Sequence, residues 1–325
     1  MGPQLELRVR GLLVPLLLKF FGPQDYDPAN TLVITGAPRA GTTWLAELVN
    51  TIPGSSILFE PLHLGHVPEA RKAGFKWETI VERGSSWPEG EKFLREVFLG
   101  RVRNSWTMSH VSLKQAYRTK LWIVKFVRAN MMLDWLAHTF PIRPPALIIR
   151  HPCASIASYL QKGWARPVGP PSDHEFFRIH PHLRGVCDGL ETVEEFIAVA
   201  WCMEYYMALL VPPPLPFHLV CYERLVRSGV EELSKLFAAW DLPLPEEAKK
   251  RLYKPSMTTA AFSQVSKGKD PLAGWQRYFG PEQSQRILAV VKAFGLDFYN
   301  ENPEPDYDRL YSASPVRHAG RTERV

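Results

Sequence analysis

The chain has 325 residues, enough for one large domain or two small ones. Hydrophobic residues make up 46% and charged residues 22%, which excludes a disordered, collagen-like or coiled-coil chain. An excess of 39 Lys and Arg over 33 Asp and Glu gives a net charge of +6, suited to an anionic ligand or a membrane surface without specifying either. The 4 cysteines, Cys153, Cys187, Cys202 and Cys221, include no C-x-x-C pair, and no His cluster has zinc spacing. Buried thiols in a reducing compartment are therefore expected, rather than a disulfide scaffold or a structural zinc.

Near the N-terminus, Gly11 to Leu18 reads GLLVPLLL before Lys19 interrupts. The run is far short of the roughly 18 apolar residues that span a bilayer. No small-x-small cleavage site follows Arg8 and Arg10, so a signal peptide is not expected. Residues 1–30 read as a helix or arm packed on the domain. The alternative is a basic amphipathic segment, residues 5–21, lying on a membrane.

Five short apolar runs follow as candidate strands: Thr31–Thr35, Ile57–Phe59, Leu121–Lys125, Ala146–Arg150 and Phe217–Cys221. They barely alternate, as expected of strands buried on both faces of a parallel sheet. Helical patterns lie between and after them, over Thr42–Thr51, Glu91–Val102, Ala129–Phe140, Glu194–Leu210 and Glu282–Phe294. Thr192 and Glu195 form a capping box ahead of the fourth. Gly280–Pro281 opens the last, and Gly295 stops it. Strands alternating with helices predict one α/β domain, residues 31–300, with a doubly wound, mostly parallel sheet flanked by helices. Residues 301–325 read as a tail, polar and basic from Arg317.

The strongest chemical signal is TLVITGAPRAGTTWL, Thr31 to Leu45. A strand runs into Gly36, and Gly41-Thr42-Thr43 then opens a helix. Glycines let such a loop curl, so that its N–H groups point at an anion on the helix N-terminus. A nucleoside-triphosphatase loop needs Lys before the Ser/Thr, and Thr42 stands there instead. No later strand ends in a Walker-B Asp; those strands end at Lys125, Arg150 and Cys221. A magnesium-dependent kinase or ATPase with a degenerate loop is thus the lesser reading. A second anion element follows the Ala146–Arg150 strand. There Pro152 fits a first helical turn, and Arg150 and Ser158 are spaced to hold a phosphate together.

Together these elements resemble the sulfotransferase family that uses 3′-phosphoadenosine 5′-phosphosulfate (PAPS). PRAGTTWL (Pro38–Leu45) resembles the family's 5′-phosphosulfate loop, and RHPCASIAS (Arg150–Ser158) its 3′-phosphate element. CYERL (Cys221–Leu225) is similar to a segment whose Tyr lies near the adenine. KDPLAGW followed by PEQ (Lys269–Gln283), continuing to Ile287, resembles a late family region. The resemblance spans Thr31 to Tyr299. It implies donor contacts from Arg39, Ala40, Gly41, Thr42, Thr43, Trp44, Arg150, Ser158, Tyr222, Lys267 and Gly268, with no metal.

Cytosolic aryl and steroid members carry a catalytic His two residues after a strand-end Lys. Here Phe126 and Val127 follow Lys125. VKFVR (Val124–Arg128) and FEPLH (Phe59–His63) look more like the carbohydrate and bacterial branches, where a Glu after the second strand is the usual base. The resemblance therefore implies sulfuryl transfer to a hydroxyl or amine. Arg39 and Lys125 would steady charge, and Glu60 or His63 would act as base, Glu60 being preferred. Pro61 predicts an extended backbone at Glu60.

A small-molecule, carbohydrate or lipid-linked acceptor is expected, with much of its pocket in Gly65–Arg118: Arg71, Lys72, Lys76, Trp77, Trp87 and Trp106. No nucleic-acid partner is expected, and a cytoplasmic location is, with the membrane-peripheral alternative. A non-catalytic nucleotide-binding protein is the third reading; the Glu60, Arg39 and Lys125 group argues against it.

Overall fold

The apolar runs pair into one parallel sheet. The computed structural model describes residues 13–20, 22–23, 25–163, 172–211, 217–256 and 272–313. Strands β1 (Leu32–Thr35), β2 (Ser55–Phe59), β3 (Leu121–Lys125), β4 (Ala146–Ile149) and β5 (His218–Cys221) lie in the order β2-β3-β1-β4-β5. Each pairing is parallel, with Phe59 beside Lys125 and Ile34 beside Ala146. All five begin and end within two residues of the predicted runs.

The first helices are α1 (residues 13–20), α2 (Thr42–Val49), α3 (Pro68–Lys72), α4 (Pro88–Phe98), α5 (Leu113–Ala116) and α6 (Leu133–Thr139). Then come α7 (Pro152–Leu160), α8 (Glu175–Ile179), α9 (Val193–Leu209), α10 (Tyr222–Arg227) and α11 (Gly229–Ala239). The last are α12 (Glu246–Arg251), α13 (Pro281–Ala293) and α14 (Tyr307–Ala313).

Successive strand residues point to opposite faces of a sheet, and here both faces are covered. Leu32, Ile34, Ile57, Ile123, Ile148 and Val220 pack with α2 and α11. On the other face, Val33, Leu58, Trp122 and Val124 pack with α4 and α6. Leu147, Ile149 and Leu219 there pack with α7, α9 and α13. Parallel strands covered on both sides cannot alternate with polar residues, which explains their unbroken apolar runs.

The helix following β1 and the helix following β4 therefore lie on opposite faces, although the strands are neighbours. The chain diverges at that point, and a crevice opens outside the carboxyl ends of the strands, where ligands bind in open α/β sheets.

Several helices depart from their predicted ends. The Glu91–Val102 pattern begins earlier, at Pro88 in the first turn, and stops before Gly100, whose φ of +63° breaks it. The Ala129–Phe140 pattern is a 3₁₀ turn, Asn130–Met132, leading into α6. The Thr192–Glu195 capping box is present as predicted. In residues 13–20, Val14 and Leu18 are buried while Leu13, Leu16 and Phe20 face outward. Within residues 301–325, α14 seats Leu310 in the core. All four cysteines are free and buried. Among the described residues, no helix is long and apolar enough to cross a membrane.

Candidate functional site

Each of the five strands delivers a site residue at its carboxyl end, and these residues line one cleft of about 1550 Å³. The loop from Gly36 to Gly41 leaves β1 and turns into α2. Gly41 has φ +101°, and a Cβ there would lie 2.7 Å from a Tyr222 ring carbon. Only glycine meets both constraints. The N–H groups of Thr42, Thr43 and Trp44 form the first turn of α2, where a helix leaves its donors without intrahelical partners, and no side chain caps them. The helix dipole adds partial positive charge at the same point. The loop is braced from behind by Tyr205, whose hydroxyl donates to the Ile148 carbonyl (2.8 Å) and accepts from Ala37 N–H (3.1 Å).

Two guanidiniums meet beside this loop. Arg150, at the end of β4, donates to the Arg39 carbonyl (3.1 Å) and stacks 4.3 Å over the Tyr222 ring. Arg39 donates through Nε to Ser158 Oγ (3.0 Å) on α7. The Arg-to-Ser element is thus joined through Arg39. Burial and the neighbouring Arg150 push the Arg39 pKa below its ordinary value. Such a crowded pair of cations favours an anion between or beside them.

Trp44 meets Tyr222 edge-on at 5.6 Å between ring centres, forming an aromatic corner. Trp44 Nε1, Arg150 Nε and Ser155 Oγ are buried with no hydrogen-bond partner among the described residues. Buried donors are seldom left unpaired, so these three atoms are available to a polar group in the cleft.

Glu60 and Lys125 come from adjacent strands and form an ion pair. Lys125 is 2% exposed, and its Nζ lies 4.4 Å from the centre of the Phe59 ring. Burial pulls the Lys125 pKa down, while Glu60 opposes the shift. The extended backbone predicted at Glu60 is not observed: its φ is +41°. Glu60 N–H continues the sheet by donating to the Lys125 carbonyl (2.9 Å), and the Glu60 carbonyl accepts from His63 N–H (3.0 Å) in a tight turn. Those bonds outweigh the preference imposed by Pro61. Arg39 likewise has φ +69°. Two strained non-glycine residues at one cleft mark a site whose geometry is held by its surroundings.

His63 stands on that turn among aromatic rings, 4.8 Å from Trp106 and 5.2 Å from Trp77. Burial and nearby His66 lower its pKa, so the ring is neutral near pH 7; its Nδ1 has no partner among the described residues.

Of the predicted acceptor stretch, Trp77 and Trp106 do line the cleft. Trp87 is instead partly buried and packs on the core against Phe75 and Trp135. Arg71 donates to the Leu64 carbonyl, and Lys76 pairs with Glu175 on the surface. Lys267 and Gly268 lie outside the described residues.

The structure adds residues that sequence reasoning missed. Arg128 stacks 4.1 Å over Trp77. Glu204, on α9, lines the cleft and accepts from Asn130 Nδ2 (2.8 Å); Asn130 in turn accepts from the Thr35 hydroxyl (2.6 Å). Burial first, and then the Glu78 carboxylate, hold the Glu204 pKa up at about 8. A lone acid inside the apolar run Phe196–Leu210 was the available signal.

A glycine-bearing loop at a helix N-terminus, two neighbouring guanidiniums and a strand-end Lys–Glu pair thus meet in one cleft of a parallel α/β sheet. The chain belongs to the sulfotransferase family, whose model matches residues 31–246. No curated protein sequence matches it significantly.

Among solved structures, the chain is similar to the sulfotransferase domain of the Synechococcus PCC 7002 olefin synthase, with 18% identity, 86% of this chain and 98% of that one covered, and a TM-score of 0.45. It is similar to sulfotransferase STF9 from Mycobacterium avium at 14% identity, with 93% and 83% covered and a TM-score of 0.44. Mouse sulfotransferase SULT7A1, solved with PAP, matches at 14% identity, with 88% and 91% covered and a TM-score of 0.43.

Proposed function

We propose that the protein transfers a sulfuryl group from PAPS to a hydroxyl or amine of a small-molecule acceptor. The observation that carries this reading is the convergence of Arg39 and Arg150 beside the α2 N-terminus in one cleft, with Ser158 bonded to Arg39 behind them. The unpartnered Trp44 Nε1, Arg150 Nε and Ser155 Oγ fit a polar nucleotide there. In this reading the Gly36–Trp44 loop takes the 5′-phosphosulfate, Arg150 and Ser158 take the 3′-phosphate, and the Trp44–Tyr222 corner takes the adenine.

When bound, the donor supplies a sulfuryl group that passes to the acceptor atom as its bond to the 5′-phosphate breaks and the electron pair stays on the phosphate. Lys125 and Arg39 place positive charge where negative charge grows. Glu60 takes the acceptor proton, and its ion pair with Lys125 keeps the carboxylate oriented. His63 is the second candidate base, favoured by its neutral ring and unpartnered Nδ1. Thr42 in place of a phosphate-loop Lys disfavours the kinase alternative.

Calorimetry with 3′-phosphoadenosine 5′-phosphate (PAP) and with adenosine 5′-monophosphate tests the donor assignment. PAP should bind at least tenfold more tightly. Equal affinities would refute a 3′-phosphate site.

A further inference from the structure

The cleft is larger than the roughly 300–1,000 Å³ of a typical single-ligand pocket, and one wall of it, beside the anion elements, carries an apolar stripe. That wall is mostly α9. A helix that is hydrophobic all round is normally buried all round, and α9 is apolar along nearly its whole length, VEEFIAVAWCMEYYMAL. One side does pack in the core, through Ala198, Val199, Cys202 and Tyr205. The side carrying Val193, Phe196, Ile197, Ala200, Met203 and Glu204 lines the cleft; the first four are only half-buried, and Glu204 ends the stripe at its inner end. These positions recur at helical spacing and form one stripe. From Val193 to Met203 the stripe runs about 15 Å along the helix.

The direction of the stripe is fixed by its anchored end. Tyr205 bonds to Ala37 and Ile148, and Glu204 bonds to Asn130, so the Met203 end abuts the phosphate loop. The Val193 end lies about 15 Å further along the helix. An apolar wall of this kind beside a reaction centre is the usual mark of a ligand groove.

We infer that the acceptor is an elongated, mainly apolar molecule, which presents a hydroxyl at the Lys125–Glu60 end and lays its apolar body along the Val193–Met203 stripe of α9. This rests on the sulfuryl-transfer reading above and specifies its acceptor. A sugar body laid on the stripe would turn one face to Val193, Phe196 and Ile197, which offer its hydroxyls no hydrogen-bond partner, a costly arrangement for buried polar groups.

The test measures transfer from PAPS to a series of straight-chain alcohols, butan-1-ol to dodecan-1-ol, with galactose alongside, and PAP affinity for each protein. Each added methylene should raise kcat/KM roughly two- to fourfold while it is still being buried, and galactose should be a poor acceptor. In Phe196→Ser and Val193→Ser the dependence on chain length should flatten, with PAP affinity unchanged; Phe196→Leu should retain it. Binding of decan-1-ol to the PAP-saturated protein should follow the same order. A flat response across the alcohols, or a preference for galactose, with PAP binding intact, would overturn the apolar acceptor and leave the donor assignment standing. Failure to bind PAP at all would overturn both.

Discussion

Arg150 holds its guanidinium over the Tyr222 ring and against the Arg39 carbonyl, so its removal should be felt by one phosphate more than by the rest of the nucleotide. A lost charge-assisted bond costs roughly 1.5–3 kcal/mol. Arg150→Ala should weaken PAP binding tenfold or more and barely affect adenosine 5′-monophosphate, as calorimetry would show. Glu60→Gln keeps the shape but cannot accept a proton, and loss of a general base costs roughly 10²–10⁴ in rate. Turnover at saturating donor should fall by about that factor with PAP affinity near wild type, whereas His63→Ala should cost less. The reverse result would make His63 the base. Glu204 makes a different prediction. Its pKa of about 8 lies above its ordinary value, so between pH 4.5 and 8 the folded protein keeps a proton that the unfolded chain has released. The stability it contributes therefore falls as pH rises through that window. Glu204→Gln removes the slope, so the variant's Tm should gain on wild type by several degrees between pH 5 and pH 8.5. A constant difference would show that Glu204 is ionised throughout.

At the level of elements, the strands were legible because burial on both faces leaves only short apolar runs, and the loop after β1 because its glycines and flanking pattern are local. The reversed φ at Glu60 was not legible. It is imposed by the Lys125 carbonyl and by the turn to His63, partners that sequence distance hides. The role of α9 was also hidden: a helix apolar on all sides reads as core, and only the fold shows which stripe meets the cleft. Trp77 and Trp87 look alike in sequence, yet one reaches the cleft and the other packs against the core. The Thr192 cap was legible and carries its own test. Thr192 accepts from Glu195 N–H, and Glu195 accepts in return from Thr192 N–H. Loss of such a cap costs roughly 1 kcal/mol. Thr192→Ala should therefore lower Tm by about 2–4 °C and leave PAP affinity unchanged.

For the whole molecule, the strand order β2-β3-β1-β4-β5 turns separate motifs into one site. The central β1 carries the Gly36–Gly41 loop. The β3 and β2 ends on one side bring Lys125 and Glu60, and the β4 and β5 ends on the other bring Arg150 and Tyr222. The Lys125–Glu60 pair and the Arg150–Tyr222 pair therefore flank one loop. The acid at the end of β2, Glu60, is ion-paired with Lys125, and Thr42 replaces the Lys of a metal-dependent phosphotransferase. The most direct test of this account is transfer of labelled sulfate from PAPS to a hydroxylic acceptor, run in parallel with Mg·ATP as donor, each with and without EDTA. Transfer from PAPS that survives EDTA, with no phosphoryl transfer from ATP, is the result predicted. Phosphoryl transfer from ATP that EDTA abolishes and magnesium restores, with PAPS inert, would contradict it.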